Sequence, residues 1–140
     1  MKRPLTEEFV RNRVLEWLSS HDYSATKVKT LSEHGPDILA KKIRSSRFYI
    51  VEVKGDVHTK RNSLHHGVLL SALGEIMLRV KEQKYCKYAV GLPESYREMV
   101  IRRVPWILMK KMGLDFLLVN TKGEVEKLNY LKLKKIQFRQ

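Results

Sequence analysis

Pro36-Asp37-Ile38-Leu39-Ala40 and Arg47-Phe48-Tyr49-Ile50-Val51-Glu52-Val53-Lys54 are the stretches that decide the fold; fourteen residues separate Asp37 from Glu52. The second stretch is rich in β-branched and aromatic residues and reads as the clearest strand in the chain. Strand side chains alternate, so Phe48, Ile50, Glu52 and Lys54 share one side while Tyr49, Val51 and Val53 share the other. Glu52 and Lys54 therefore project together from the end of an otherwise apolar strand. Arg44-Ser45-Ser46-Arg47, between the two stretches, is short enough for a hairpin turn. Counting back along such a hairpin brings Asp37 beside residues 52 to 54. Asp37 shares their face when the loop holds an even number of residues, Ser45-Ser46 alone being one such loop. A bulge after Pro36 is a second route to the same placement.

The chemistry of that sheet edge follows from its groups. Asp37 and Glu52 are hard oxygen donors of the kind Mg²⁺ accepts, one or two at a time, beside waters and phosphate oxygens. A metal held there polarises a phosphoryl oxygen and makes its bound water more acidic. The Lys54 ammonium can orient that water and offset charge building at phosphorus. An E-x-K triplet alone is common, and its ordinary reading is a surface ion pair.

The chain on either side supplies context. Thr6 is an N-cap, Glu7 and Glu8 fill a first turn, and Val10, Val14, Trp17 and Leu18 recur at helical spacing, which predicts a helix ending near Ser20 to Asp22. A strand is expected over Tyr23 to Thr30. After Gly55-Asp56 a long helix is expected from about Ser63 to Val80, with Leu69, Leu73, Ile76, Met77 and Val80 facing inward. Tyr88 to Leu92 reads as a buried strand. Pro93 opens a further helix that Pro105 interrupts and Gly113 ends. Leu114 to Val119, the turn Asn120-Thr121-Lys122-Gly123 and Glu124 onward read as strand, turn and strand. The expected order is αβββαβαββ, an α/β or α+β sandwich around a mixed sheet, of which α/β is the reading taken. It divides into residues 1–126 and a basic extension, 127–140, with Lys127, Lys132, Lys134, Lys135 and Arg139 and no acid.

With these elements in place, the chain resembles the PD-(D/E)xK nuclease superfamily, the restriction-endonuclease-like fold that includes archaeal Holliday-junction resolvases. Pro36-Asp37 looks like its PD and Glu52-Val53-Lys54 like its (D/E)xK. The resemblance covers roughly residues 6 to 80, and the later elements suit the family's αβ core without a sharp motif. It implies a Mg-dependent endonuclease (Mn²⁺ as substitute) acting on DNA, structure-selective for branched or junction substrates, and working as a homodimer because one small chain has room for one site. Asp37 and Glu52 would hold the metal, Lys54 would orient the attacking water, and the first helix would add another acid. Glu7 is the better candidate for that acid: it precedes Val10, Val14 and Leu18 on the inward stripe, whereas Glu8 sides with Arg11 and Asn12. Acids in a first turn also simply complement the helix dipole. Ser71, Glu75 and Arg79 form a polar stripe on the long helix. Glu75 stands where the family tends to carry an amide, and a Glu75–Arg79 helix ion pair is the expected use of the two.

Charge and composition agree with a polyanionic partner. The 140 residues carry 28 Lys and Arg against 15 Asp and Glu, a net charge of +13. Lys41, Lys42, Arg44 and Arg47 decorate the hairpin, and Lys60 and Arg61 lie in the loop leaving the active strand; all are candidate phosphate contacts. Nothing reads as a base-reading recognition helix. No run approaches the ~18 apolar residues of a membrane helix, and the start, Met1 to Phe9, has no apolar signal core, so a cytoplasmic protein without membrane partners is expected. The single cysteine, Cys86, excludes a disulfide framework. Two other functions fit the same features: a nucleic-acid-binding subunit without chemistry, and an RNA-processing nuclease.

Overall fold

Thr6 Oγ1 accepts the Phe9 N–H at 3.1 Å and caps α1 (Glu7–Ser20), whose Val10, Val14 and Leu18 are buried as their spacing predicts. The computed structural model describes residues 4–28, 36–57, 62–80 and 86–139. After α1 come β1 (Tyr23–Val28), β2 (Ile38–Lys42), β3 (Phe48–Val53), α2 (Asn62–Met77) and β4 (Cys86–Pro93). A single 3-10 turn (Glu94–Tyr96), α3 (Arg97–Arg103), α4 (Trp106–Met112), β5 (Leu114–Val119), β6 (Val125–Leu128) and α5 (Tyr130–Phe138) complete the chain.

The six strands form one sheet in sequence order, β1 to β6. Pairs β1–β2, β2–β3 and β5–β6 are antiparallel, whereas β3–β4 and β4–β5 are parallel. Parallel neighbours need crossovers. Here α2 makes the first and α3 with α4 the second; both move the chain the same way across the sheet, which stacks their helices on one face. That face buries Leu69, Ala72 and Ile76 of α2 against Tyr88, Val90, Phe116 and Leu118. On the opposite face α1 packs Val10, Val14 and Leu18 on Ile38, Ala40, Tyr49, Val51 and Val53. The alternation expected of β3 is thus realised, odd positions against α1 and even positions towards α2.

Two expectations change in detail. α2 stops at Met77, and Met77 (57% exposed) and Val80 (41%) face outward, because the buried stripe steps through Leu69, Ala72 and Ile76. The helix expected after Pro93 is three pieces, with Pro105 at the N-cap of α4 and Gly113 ending it at φ 65°. The basic stretch from Lys127 finishes β6 and forms α5, which Asn129 caps by accepting the Lys132 N–H at 2.9 Å; Leu128 and Leu133 are fully buried. Among the described residues no helix is long and apolar enough to cross a membrane.

One glycine fixes the approach of α1 to the end of β3. A Cβ at Gly55 would stand 2.4 Å from the Glu7 nitrogen and 2.9 Å from the Thr6 carbonyl carbon, both backbone atoms. Asp56 locks the same junction: Oδ2 accepts the Leu5 N–H at 2.8 Å, its own N–H reaches Leu5 O at 2.7 Å, and Ser95 Oγ donates to Oδ1 at 2.6 Å. Gly55→Ala is therefore expected to destabilise the fold by about 1–3 kcal/mol, the range of an overpacked site. Urea denaturation measures this, and an unchanged midpoint would contradict the close approach.

Candidate active site

The β2–β3 hairpin decides which way Asp37 faces. Ile38 pairs with Val51, Leu39 with Ile50, Ala40 with Tyr49 and Lys41 with Phe48. The Lys42 N–H reaches the Arg47 carbonyl at 2.9 Å, leaving Ile43 to Ser46 as the loop. The loop is even, so the parity condition holds, although the turn is Ile43-Arg44-Ser45-Ser46 rather than Arg44 to Arg47. Arg44 takes the left-handed conformation it requires, with φ 59°. Continuing the ladder by one step places Asp37 opposite Glu52, and a one-residue slip would have sent it to the α1 face. Asp37 Oδ2 accepts the Val53 N–H at 2.7 Å, which fixes its carboxylate at the end of β3.

Glu52 is 1% exposed, and Arg79 Nε donates to its Oε1 at 2.6 Å. Lys54 Nζ donates to Glu75 Oε1 at 3.1 Å. Each member of the expected Glu75–Arg79 pair is therefore drawn into an ion pair between strand and helix. Geometry explains these contacts. Four residues of helix rise about 6 Å, and two residues of strand advance about 6.6 Å. Because α2 runs back along β3, Glu75 meets Lys54 while Arg79 meets Glu52. The E-x-K of the strand and the E-x-x-x-R of the helix match charge for charge in opposite directions. That pattern was available in the sequence, but only together with the antiparallel course of the helix.

Burial pushes the Glu52 carboxyl up to about 8, helped by its hydrogen bond with Asp37. The Arg79 hydrogen bond pulls the other way, while the Asp37 charge and a hydrogen bond with Glu75 add to the rise. Acids crowded enough to hold a proton among them are a place where a cation is favoured. Asp37 and Glu52 offer the hard oxygens that Mg²⁺ prefers, and such an ion needs only one or two carboxylates, taking water and phosphate oxygens for the rest. Among the described residues no group of three or more His, Cys, Asp or Glu is arranged to hold a metal ion. The fit therefore rests on this pair and its outer ligands.

The other expected residues divide by position. Glu7 is exposed at the first position of α1, with its backbone against Gly55 just past the end of β3, and among the described residues no hydrogen bond or ion pair joins its carboxylate to Asp37 or Glu52. Lys41, Arg44 and Arg47 are exposed and Lys42 half-buried around the hairpin tip. Five residues of strand, about 17 Å, separate Arg47 from Glu52, so this basic group sits at the opposite end of β3. Lys60 and Arg61 lie outside the described residues.

Two polar groups had no signal in the sequence. Asp115 is buried on the α1 face, where Tyr49 donates its hydroxyl proton to Oδ2 and Lys87 Nζ lies 3.5 Å from the same oxygen. Burial, with the Asp115 charge beside it, drives the Tyr49 phenol strongly upward. The Tyr96 hydroxyl is buried with no hydrogen-bond partner among the described residues, its ring 5.3 Å from that of His65.

No protein-family profile matches the chain, and no curated protein matches it. Among solved structures it is similar to an XisH family protein from Nostoc punctiforme, with 17% identity and a TM-score of 0.52 over 86% of this chain and 99% of that one. At that identity the likeness concerns the fold alone. With five helices around a mixed six-stranded sheet among the described residues, the chain has an α/β architecture consistent with the restriction-endonuclease-like fold.

Proposed function

We propose that the chain is a metal-dependent nuclease that hydrolyses phosphodiester bonds of DNA, selective for structure more than for sequence. The observation supporting this reading is the facing pair Asp37 and Glu52 at the end of β3, with Lys54 two residues on and on the same face. Asp37 and Glu52 would hold Mg²⁺, or Mn²⁺ in its place, which when bound supplies polarisation of the phosphoryl oxygen and a more acidic water. Val53 N–H steadies the Asp37 carboxylate through the 2.7 Å hydrogen bond, so the ligand is set before substrate arrives. Lys54 carries its ammonium beside this pair, where it orients the attacking water and offsets negative charge at phosphorus. Glu75 holds that ammonium at 3.1 Å and so limits where it can point.

Cutting two strands takes two sites, and we propose a homodimer. Leu70 and Met77 are exposed seven residues apart on α2 and share one side of the helix, with Leu73 and Gly74 between them, an uncharged face where two chains of net charge +13 can meet. One observation favours a second reading, a nucleic-acid-binding subunit without chemistry: both cations of the site are already paired with acids, Lys54 with Glu75 and Arg79 with Glu52.

A substrate panel separates the readings. Supercoiled plasmid, linear duplex, flap, four-way junction and single-stranded RNA are incubated with Mg²⁺, Mn²⁺ or EDTA. Metal-dependent cutting, strongest on the branched DNA, is expected. Cutting confined to RNA would move the activity to RNA processing. Salt-sensitive binding without cutting of any member would leave the binding subunit.

A further inference from the structure

The crossed pairs raise a question about Arg79. Its guanidinium lies 2.6 Å from a carboxylate that is 1% exposed, the same carboxylate that the nuclease reading assigns to a divalent ion. Two cations cannot share that position: at a few ångströms a guanidinium and a divalent ion repel strongly in a half-buried site. Taking up the ion therefore means moving Arg79 off Glu52. The residue does not go far. It follows the end of α2, its N–H is held by the Ile76 carbonyl at 2.9 Å, and its own carbonyl accepts the Tyr88 hydroxyl at 3.4 Å. With the backbone tethered to helix and sheet, the side chain swings about a fixed point beside Asp37, Glu52 and Lys54. An anion able to receive it there is the phosphodiester of a bound strand, whose oxygens match the planar fork of arginine.

We propose that Arg79 is a substrate-binding residue of this site, held on Glu52 until a divalent ion takes that carboxylate, and then transferred to the scissile phosphate. The proposal rests on the nuclease reading. It gives the pairing of Arg79 a use beyond stability, because the residue that hydrogen-bonds Glu52 in the free protein becomes one that neutralises substrate.

Calorimetric titration of Mn²⁺ into the full chain without nucleic acid, at pH 8, tests the first half. Arg79→Met is expected to bind Mn²⁺ roughly tenfold or more tightly than wild type, since no guanidinium has to be displaced. Cleavage of the preferred DNA at saturating Mn²⁺ tests the second half, where the same variant is expected to lose about a hundredfold. Arg79→Lys keeps the charge and loses the fork. It is expected to bind Mn²⁺ as wild type does and to cut slowly, and it serves where thermal melting shows Arg79→Met unfolded. Unchanged or weaker Mn²⁺ binding in Arg79→Met would overturn the reserve on Glu52. Wild-type cleavage by both variants would overturn the phosphate contact while the nuclease reading stands. Absence of both Mn²⁺ binding and cleavage in wild type and variants would overturn the nuclease reading, and the proposal with it.

Discussion

Asp37→Asn is expected to lower metal-dependent cleavage by about a thousandfold or more while leaving fold and nucleic-acid binding in place, the scale of losing a charge that holds the reacting groups. The substitution isolates the charge. An asparagine Oδ1 can still accept the Val53 N–H that Asp37 accepts at 2.7 Å, so the hairpin end keeps its geometry. What disappears is one of the two anionic ligands in the facing pair. Lys54→Ala should act on rate by a different route, with a loss of about a hundredfold or more from the missing proton-handling and charge-offsetting group. Its cost in stability should stay within about 1 kcal/mol, because the Lys54–Glu75 pair is partly exposed at both ends. Single-turnover cleavage beside a filter-binding measurement separates the effects. If Asp37→Asn cuts as wild type does, the metal assignment is wrong. If both variants lose binding in parallel with cutting, the residues serve association rather than chemistry.

The fold was legible where one local rule decided it. The apolar and β-branched run from Phe48 to Val53 could only be a strand, and Thr6 with its first-turn acids could only open a helix. The face of Asp37 was not legible, since it turns on whether the loop holds an even or an odd number of residues, and the Ile43–Ser46 turn is made by a left-handed Arg44 that no glycine announces. The composition of α2 also hid its orientation. It is apolar nearly all round, so Met77 and Val80 read as core until Ala72 proved to carry the buried stripe. Glu75 and Arg79 were seen, but as each other's partners, because helix spacing is visible in one dimension and the facing strand is not. Asp115 and Tyr49 meet across strands at a separation of 66 residues, which no window of sequence contains. Residues 29 to 35 and 58 to 61, which hold Lys60 and Arg61, lie outside the described residues.

The second large effect is on stability, and its sign runs against habit for a carboxylate. Glu52 is raised from 4.5 to about 8, first by burial and then by its hydrogen bond with Asp37, so the folded protein holds a proton that the unfolded chain releases above pH 4.5. Where the folded state binds more protons, stability falls as pH rises. The contribution is fully present below pH 4.5 and is lost progressively as pH climbs through 8. Glu126 behaves in the opposite way: the hydrogen bond from Arg97, with Lys132 assisting against some burial, holds it below its ordinary value, so its contribution is lost only on the acid side of that window. The Glu52 loss should show as a melting temperature that falls steadily from pH 5 to pH 8. Glu52→Gln keeps the shape and an acceptor for Arg79 but has nothing to titrate, so its melting temperature should vary far less across the same range. Divalent ion gives the decisive comparison. If Asp37 and Glu52 hold Mg²⁺, the ion takes the place of the proton, and the wild-type decline above pH 6 should flatten in millimolar Mg²⁺ while Glu52→Gln does not respond. A wild-type decline that Mg²⁺ leaves untouched would mean that the buried acid pair answers to protons and to Arg79 alone, and the metal would have to be sought elsewhere.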